Sequence, residues 1–490
     1  MTALFELSRR SLMLGAVTAA VAAPGLVRAQ AASASLSPDA MIEDVRLLRR
    51  AYETLHPGLL RYNTADQMAA AFDGLEADAR APVSLEAFYI RLSRFLATLK
   101  CGHSYANFYN QSRPVQQRLF ETADRLPFQF VWLGDRMIVT RDLSGSSVAP
   151  GSEIVTLNGR PAGEVLAGLM TVARADGGND AKRRQLMSVQ GQDGYESFDV
   201  FYSLMFGSRS RHDLEIQAPD GRVRRAVVDA ISLEARRAQR PPVVDAGGDT
   251  PVWSMQRRGD VAVLTMPGWG LYESAWDWKG WLNDQMDQVV ADRVRRLVVD
   301  IRDNEGGLDC GDVLAARLID RPVVPDVARR LVRYRRIPED LRPVLATWDR
   351  SFDDWGDDAQ PFDDRYFTLA RSADEGGVIQ PRGPRFTGDV AVLIGPQNSS
   401  ATFGFAQMVK REGLARLVGE TTGGNRRGIN GGAFYFLKLP ATGLEADLPL
   451  IGTFPLTPQP DAGIEPDVTI ARTPGAIASG RDPVMEAVLG

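Results

Sequence analysis

Three short apolar runs in the second half of the chain constrain its fold more than any other feature. They are Val261-Ala262-Val263-Leu264, Leu297-Val298-Val299-Asp300-Ile301 and Val390-Ala391-Val392-Leu393-Ile394. A strand with one face in water alternates polar and apolar residues, because its side chains point to opposite faces. A run that is apolar throughout is covered on both faces. Stretches of helical length separate the runs, including Trp278–Ala291, Asp312–Ile319 and Ala401–Glu412. The pattern predicts an α/β core from about Val252 onward, its strands sandwiched by helices.

The first half reads differently. From Ala40 to Leu99, Ile42, Val45, Leu48 and Tyr52, then Met68, Phe72 and Leu75, then Phe88, Leu92 and Phe95 recur at helical spacing. Phe128–Trp132 and Met137–Val139 flank Gly134-Asp135, a hairpin signal, and Asp220-Gly221 marks a second hairpin. Between them, Ala149–Gly159 holds a turn, a short apolar strand and a tight Asn-Gly turn. That segment resembles the PDZ-type stretch of many exported proteases. Ala235–Gly248 is rich in Arg, Pro and Gly and reads as a linker, and the acidic stretch Trp348–Asp364 reads as a loop, over the site or inserted beside it. The expected divisions are an amino-terminal signal over 1–29, a helical region over 38–112, a PDZ-like β-rich region over 115–235 and a core over 252–475.

The signal reading rests on Ser8-Arg9-Arg10-Ser11-Leu12, the small apolar run that follows to Leu26, and Val27-Arg28-Ala29 at the point of cleavage. A positive start, an apolar middle and small residues at the cut make a secretory signal, and the paired arginines favour the twin-arginine route. The run is shorter than the ~20 residues a membrane span needs. The expected location is periplasmic or secreted, with no stable membrane span once the signal is removed. The net charge of -5 and the lack of any Lys/Arg-rich run give a nucleic-acid partner no support. Two cysteines, Cys101 and Cys310, are too few for a disulfide scaffold. No His-Glu-x-x-His pattern, nucleotide-binding glycine loop or Gly-x-Ser-x-Gly elbow occurs, so neither a metal nor a cofactor is expected.

The segment from Val390 to Gly424 carries the chemistry. A buried strand ends at Gly395-Pro396, Gln397-Asn398-Ser399-Ser400-Ala401-Thr402 follows, and a helix begins. A serine in the first helical turn lies in the field of unpaired N–H groups, which favours an alkoxide and the oxyanion it makes on attacking a carbonyl. Serine at that place is also a common N-cap, and Ser399 can cap as well as Ser400.

Four segments, in order, resemble the S41 (tail-specific, C-terminal-processing) peptidases. Ser399-Ser400-Ala401-Thr402 followed by Gly419-Glu420-Thr421-Thr422-Gly423 is similar to the family's "SAxE" and "GExTxG". Asp300–Gly307 is similar to "DLRxNxGG", Leu99–Ser104 to "LKDGHT", and Gly463–Val468 to "GIxPDV". The resemblance implies Ser400 as nucleophile, an oxyanion hole from Gly306, Gly307 and Ala401, and a crotonase/ClpP-type α/β core behind the helical and PDZ-like regions. It also implies a peptide or protein substrate. At the position of the family's lysine base stands Asn425, which cannot take a proton, and Arg426 beside it stays protonated. A second branch, resembling the tricorn and retinoid-binding-protein relatives, uses Ser, His and Glu. Carried over, it implies His103 as base and Glu465 as its orienting acid. Of the other two histidines, His56 before Pro57 reads as a helix C-cap and His212 as solvated in a polar turn. The resemblance also puts Cys101 and Cys310 near the site, where a disulfide or two buried thiols would serve. The rival to a peptidase is a protein of this fold that has lost catalysis and binds peptide ends or another small ligand.

Overall fold

The computed structural model describes residues 35–143, 145, 148–240, 248–325, 327–369 and 377–490, and the signal segment lies outside them. The fold is a mixed α/β architecture. Helices α1 (Pro38–Leu55), α2 (Ala65–Asp78) and α3 (Leu85–Thr98) form where the helical stripes lie. Each start is fixed by a polar cap: Ser37, Thr64 and Ser84 accept backbone N–H groups, and Thr64 with Gln67 makes a reciprocal capping box. Helix α4 (Arg113–Phe120) leads into an antiparallel sheet.

That sheet consists of β1 (Phe128–Leu133), β2 (Arg136–Asp142), β3 (Glu153–Leu157), β4 (Arg160–Pro161), β5 (Arg211–Gln217) and β6 (Val223–Asp229). Its order is β1-β2-β3-β5-β6, with β4 paired to β3. Helices α5 (Ala162–Met170), α6 (Asp180–Leu186) and α7 (Ser197–Phe206) fill the crossover from β4 to β5. The first part of the expected linker is instead helix α8 (Leu233–Ala238). Its Arg236 is 1% exposed and forks onto Asp199 at 3.0 and 3.1 Å while bonding the Leu126 and Phe128 carbonyls. A paired, fully bonded arginine is the form in which that charge tolerates burial.

The three apolar runs are strands of one sheet. After β7 (Ser254–Arg258) come β8 (Val261–Thr265), helix α9 (Trp278–Ala291) and β9 (Arg296–Asp300), followed by helix α10 (Cys310–Ala315). The chain then leaves for β10 (Ala328–Val332), β11 (Leu345–Ala346), β12 (Ala359–Pro361) and β13 (Phe367–Leu369). It returns as β14 (Asp389–Ile394), helix α11 (Ser400–Glu412) and β15 (Arg416–Gly419). The long hairpin β16 (Asn430–Leu439) and β17 (Leu444–Pro455) precedes β18 (Val468–Thr469) and helices α12 (Pro474–Ala478) and α13 (Pro483–Leu489). The core sheet runs β18-β15-β14-β9-β8-β7, parallel throughout except for β7. Leu264, Leu297, Val299, Val392 and Ile394 meet α9, α10 and α11 on one face, and Val263, Val298, Ala391 and Leu393 meet α13 on the other.

The remaining strands form the order β11-β16-β17-β10-β13-β12. The stretch Trp348–Asp364 is therefore partly sheet, since β12 pairs with β13. Tyr435, Leu437, Leu448 and Leu450 of β16 and β17 join α1 to α3 and the first sheet in one apolar core. Sequence-distant halves thus share a core, and the candidate site lies along that junction.

Candidate active site

Ser400 opens α11 at the carboxyl end of β14, where open α/β sheets expose their loops. The turn before it is set by Asn398, which is fully buried. The Asn398 side chain accepts from Gly395 N–H at 2.8 Å and donates to the Ile301 and Asn304 carbonyls at 2.5 and 3.0 Å. Its carbonyl takes the N–H groups of Gly423 and Gly424. One residue, through its side-chain amide and its backbone carbonyl, therefore ties together the ends of β14, β9 and β15. Ser399 occupies the cap position but makes no side-chain cap bond, and its hydroxyl donates to the Glu305 carbonyl at 3.3 Å. Ser400 has φ +52°, a left-handed conformation that side-chain-bearing residues rarely adopt. Such strain persists only where surrounding bonds over-determine it, and it gathers at functional turns.

Against Ser400 lies the loop after β9. Gly306 and Gly307 have φ +122° and +138°, which only glycine takes easily. A Cβ on Gly306 would stand 2.9 Å from the Ser400 Cβ, and one on Gly307 would stand 2.2 Å from the Trp269 carbonyl oxygen. Gly306 was expected to offer its N–H to an oxyanion, but that N–H is given to the Asn304 side chain at 3.0 Å. Among the described residues the N–H groups of Gly307 and Ala401 have no protein acceptor.

The three histidines differ sharply. In His56 the Nδ1 accepts from Gly58 N–H at 3.1 Å, so Nε2 carries the proton and donates to Ser104 Oγ at 2.9 Å. Its backbone stands at the C-cap of α1. His212 is buried within β5, not solvated, with one nitrogen on the Asp124 carbonyl at 2.9 Å and the other on Asn158 at 3.0 Å. Both rings are locked and neutral, and burial pushes the His56 pKa down to about 3. His103 alone has a buried ring nitrogen, Nδ1, with no protein partner. Its ring lies 5.7 Å from that of Phe434, whose other side meets the half-exposed Trp348 at 5.9 Å.

Burial lowers the His103 pKa from 6.5. Asp176 and Glu305 oppose the fall, while Arg174 and Lys182 add to it. Glu305 adjoins Gly306, so the loop packed against Ser400 carries a charge that the imidazole feels. Burial favours the neutral carboxyl of Glu305, but Lys182 and Arg174 outweigh it and hold the group well below the usual carboxylate range. Lys182 Nζ is 2.9 Å and Arg174 Nη2 3.4 Å from Glu305 Oε1. The Glu305 side chain keeps 42% of its surface accessible although protein surrounds it, as at the wall of a recess. Glu305 and Arg174 line a cavity of about 210 Å³ together with Asn107, Asp193, Tyr105 and Phe201, a mixed polar and apolar wall.

Glu465 is not brought to His103. It is exposed, its carboxylate accepts from Thr421 Oγ1 at 2.7 Å and its carbonyl takes Lys410 Nζ. Asn425 is fully buried and bridges the Asp176 carbonyl at 3.1 Å and the Asp461 carboxylate at 2.7 Å. Its place is filled by a structural strut with no proton to move. Cys101 and Cys310 are both free and buried, and burial raises both thiols. Among the described residues no group of three or more His, Cys, Asp and Glu side chains could hold a metal ion, and no helix is long and apolar enough to cross a membrane.

The charged residues around His103 were missed in the sequence. One signal was available: the chain holds five lysines against an arginine-dominated background, and Lys182 is one of them.

Residues 260–434 match the profile of peptidase family S41. No curated protein matches the chain. Among solved structures, mature CPAF complexed with lactacystin is similar at 16% identity and a TM-score of 0.61, covering 92% of this chain and 97% of that one. Mature CPAF alone is similar at 17% identity and a TM-score of 0.56, covering 90% and 94%. At such identities the likeness is one of fold.

Proposed function

We propose that the chain is a serine-type peptidase acting through an acyl-enzyme on Ser400. The match to the S41 profile supports a peptidase. The observation that carries the residue-level reading is the strained Ser400, seated at a helix start against Gly306, whose neighbour Glu305 acts on the charge of His103, the one histidine with an unsatisfied ring nitrogen.

In this reading Ser400 Oγ attacks the peptide carbonyl carbon as His103 takes the hydroxyl proton. The carbonyl oxygen becomes an oxyanion facing the Gly307 and Ala401 N–H groups. The C–N bond breaks as His103 returns the proton to the leaving amine. Water, deprotonated by the same imidazole, then attacks the acyl carbon, the C–Oγ bond breaks, and the imidazolium returns its proton to Ser400 Oγ as the acid leaves. Asp176 and Glu305 replace Glu465 as the acids beside the base and act through their charge, since no hydrogen bond joins either to the ring among the described residues. The Trp348–Phe434 surface beside His103 gives the substrate an apolar platform, and the mixed polar and apolar cavity lined by Glu305 has room for one side chain. The Arg9-Arg10 leader supports action outside the cytoplasm.

A second reading, a binding protein of the same fold without turnover, is favoured by the missing carboxylate bond to His103. Fluorophosphonate labelling separates the two. The peptidase reading expects one label per chain, on Ser400, lost in S400A. Well-folded wild type that takes no label and retains peptide binding would establish the second reading.

A further inference from the structure

The segment Arg174–Lys182 lies upstream of the profile match, yet its side chains reach four loops from separate parts of the chain. Asp176 Oδ1 accepts the Gly102 N–H at 2.9 Å, and Arg174 Nη1 donates to the Gly102 carbonyl, so both backbone groups before His103 are held from one segment. A Cβ on Gly102 would stand 2.9 Å from the Asp176 carboxylate, leaving no slack there. The Arg174 guanidinium also stacks 4.3 Å over the Tyr105 ring and reaches Glu305. Lys182 Nζ binds Glu305 at 2.9 Å and the Gln397 carbonyl at 3.2 Å, three residues before Ser400. Asn179 Nδ2 donates to the Thr422 and Gly424 carbonyls at 2.8 and 2.7 Å.

Lys182 is 2% exposed. A lysine is seldom buried, because an unpaired ammonium away from water is heavily penalised, and a paired one gains little over an apolar side chain. Its place under the site therefore calls for a role other than bulk stability. Lys182 and Arg174 meet on one carboxylate, and that carboxylate belongs to the residue before Gly306.

We propose that Arg174–Lys182 is the keystone of the cleft, with Arg174 and Lys182 as positioning residues. Through the Glu305 carboxylate they lock the His103 loop to the oxyanion loop and to the turn that presents Ser400. The groups facing His103 are Asp176, Arg174, Glu305 and Lys182, so the same device sets the charge around the base. Only the kinetic arm of the test rests on the peptidase reading.

The test compares full-length wild type, K182M, K182R and R174Q by hydrogen exchange, by NMR titration of the histidine rings and by fluorophosphonate labelling. With three histidines, two of them locked neutral, the His103 signal is the one expected to titrate. K182M is expected to unfold cooperatively and to exchange at least tenfold faster over 99–105, 303–308 and 397–402, with β5 and β6 unchanged. Its His103 pKa should rise, because a neighbouring positive charge is gone. Labelling should slow at least thirtyfold, and K182R should recover to within about threefold. Should K182M fail to fold, R174Q decides, since the Arg174 side chain is 19% exposed and its replacement is better tolerated. A folded variant with unchanged exchange over all three loops and an unmoved His103 pKa would overturn the keystone. So would acceleration spread evenly over the whole chain. If wild type and S400A are equally unlabelled, the peptidase reading falls and the exchange and titration still decide the keystone.

Discussion

Ser400 is held at φ +52° by its neighbours, and a left-handed residue costs about 1–2 kcal/mol. S400G should therefore raise thermal stability while abolishing turnover, a pairing that a merely structural serine would not give. S400A should lower kcat by several orders of magnitude. H103Q should lower kcat by roughly 100-fold or more with little change in the unfolding midpoint, because its ring has no bond to lose. The base works neutral, and burial lowers its pKa below 6.5, so activity should be level near neutrality and fall only along an acid limb below pH 6.5. His56 gives a separate pH effect on stability. Its folded pKa is about 3 against an ordinary 6.5, so the unfolded chain binds the proton first as pH falls. Stability should drop by roughly 2 kcal/mol between pH 7 and pH 5, and H56Q should flatten that slope in denaturant titrations. The burial of His212 was legible and overlooked: Arg211, His212, Asp213 and Leu214 alternate as a half-buried strand does, and the charged neighbours hid it.

At the scale of elements, the apolar runs were legible as strands covered on both faces because such burial leaves few polar positions, Asp300 near the end of the second run being the exception. The turn chemistry at the ends of β9 and β14 was legible too, as Gly306-Gly307 and Asn398-Ser399-Ser400. What the local sequence could not show is which side chains from elsewhere hold those turns. Asn398 is one such knot, with three side-chain bonds to the ends of two strands. N398A should cost roughly 2–4 kcal/mol by leaving buried backbone groups without partners, read as a fall in the unfolding midpoint. G307A should lower kcat about a hundredfold or more, since a Cβ there meets the Trp269 carbonyl and must shift the loop. Glu465 was placed by motif order alone. The turn carrying Thr421 takes its carboxylate, so its distance from His103 follows from packing that the motif does not encode.

At the scale of the whole molecule, the proposed catalytic pair joins two halves that the sequence separates by nearly three hundred residues. His103 comes from the region of α1 to α3, Ser400 from the parallel sheet, and β16 and β17 share the amino-terminal core. The residues holding the halves in register, Arg174, Asp176, Asn179 and Lys182, carry no motif, because an ion pair between remote segments has no local periodicity. The chain from residue 252 onward, expressed alone, should consequently fail to give a soluble, labelled protein, since Tyr435, Leu437, Leu448 and Leu450 would lose the helices that cover them. The central claim, that an imidazole from the first half sharpens a hydroxyl in the second, is tested most directly by the pH dependence of fluorophosphonate labelling at Ser400 in wild type and H103N. The account predicts a wild-type rate that falls along an acid limb below pH 6.5 and a rate in folded H103N lower by two orders of magnitude or more, with that limb gone. Equal rates and identical profiles in the two proteins would contradict it.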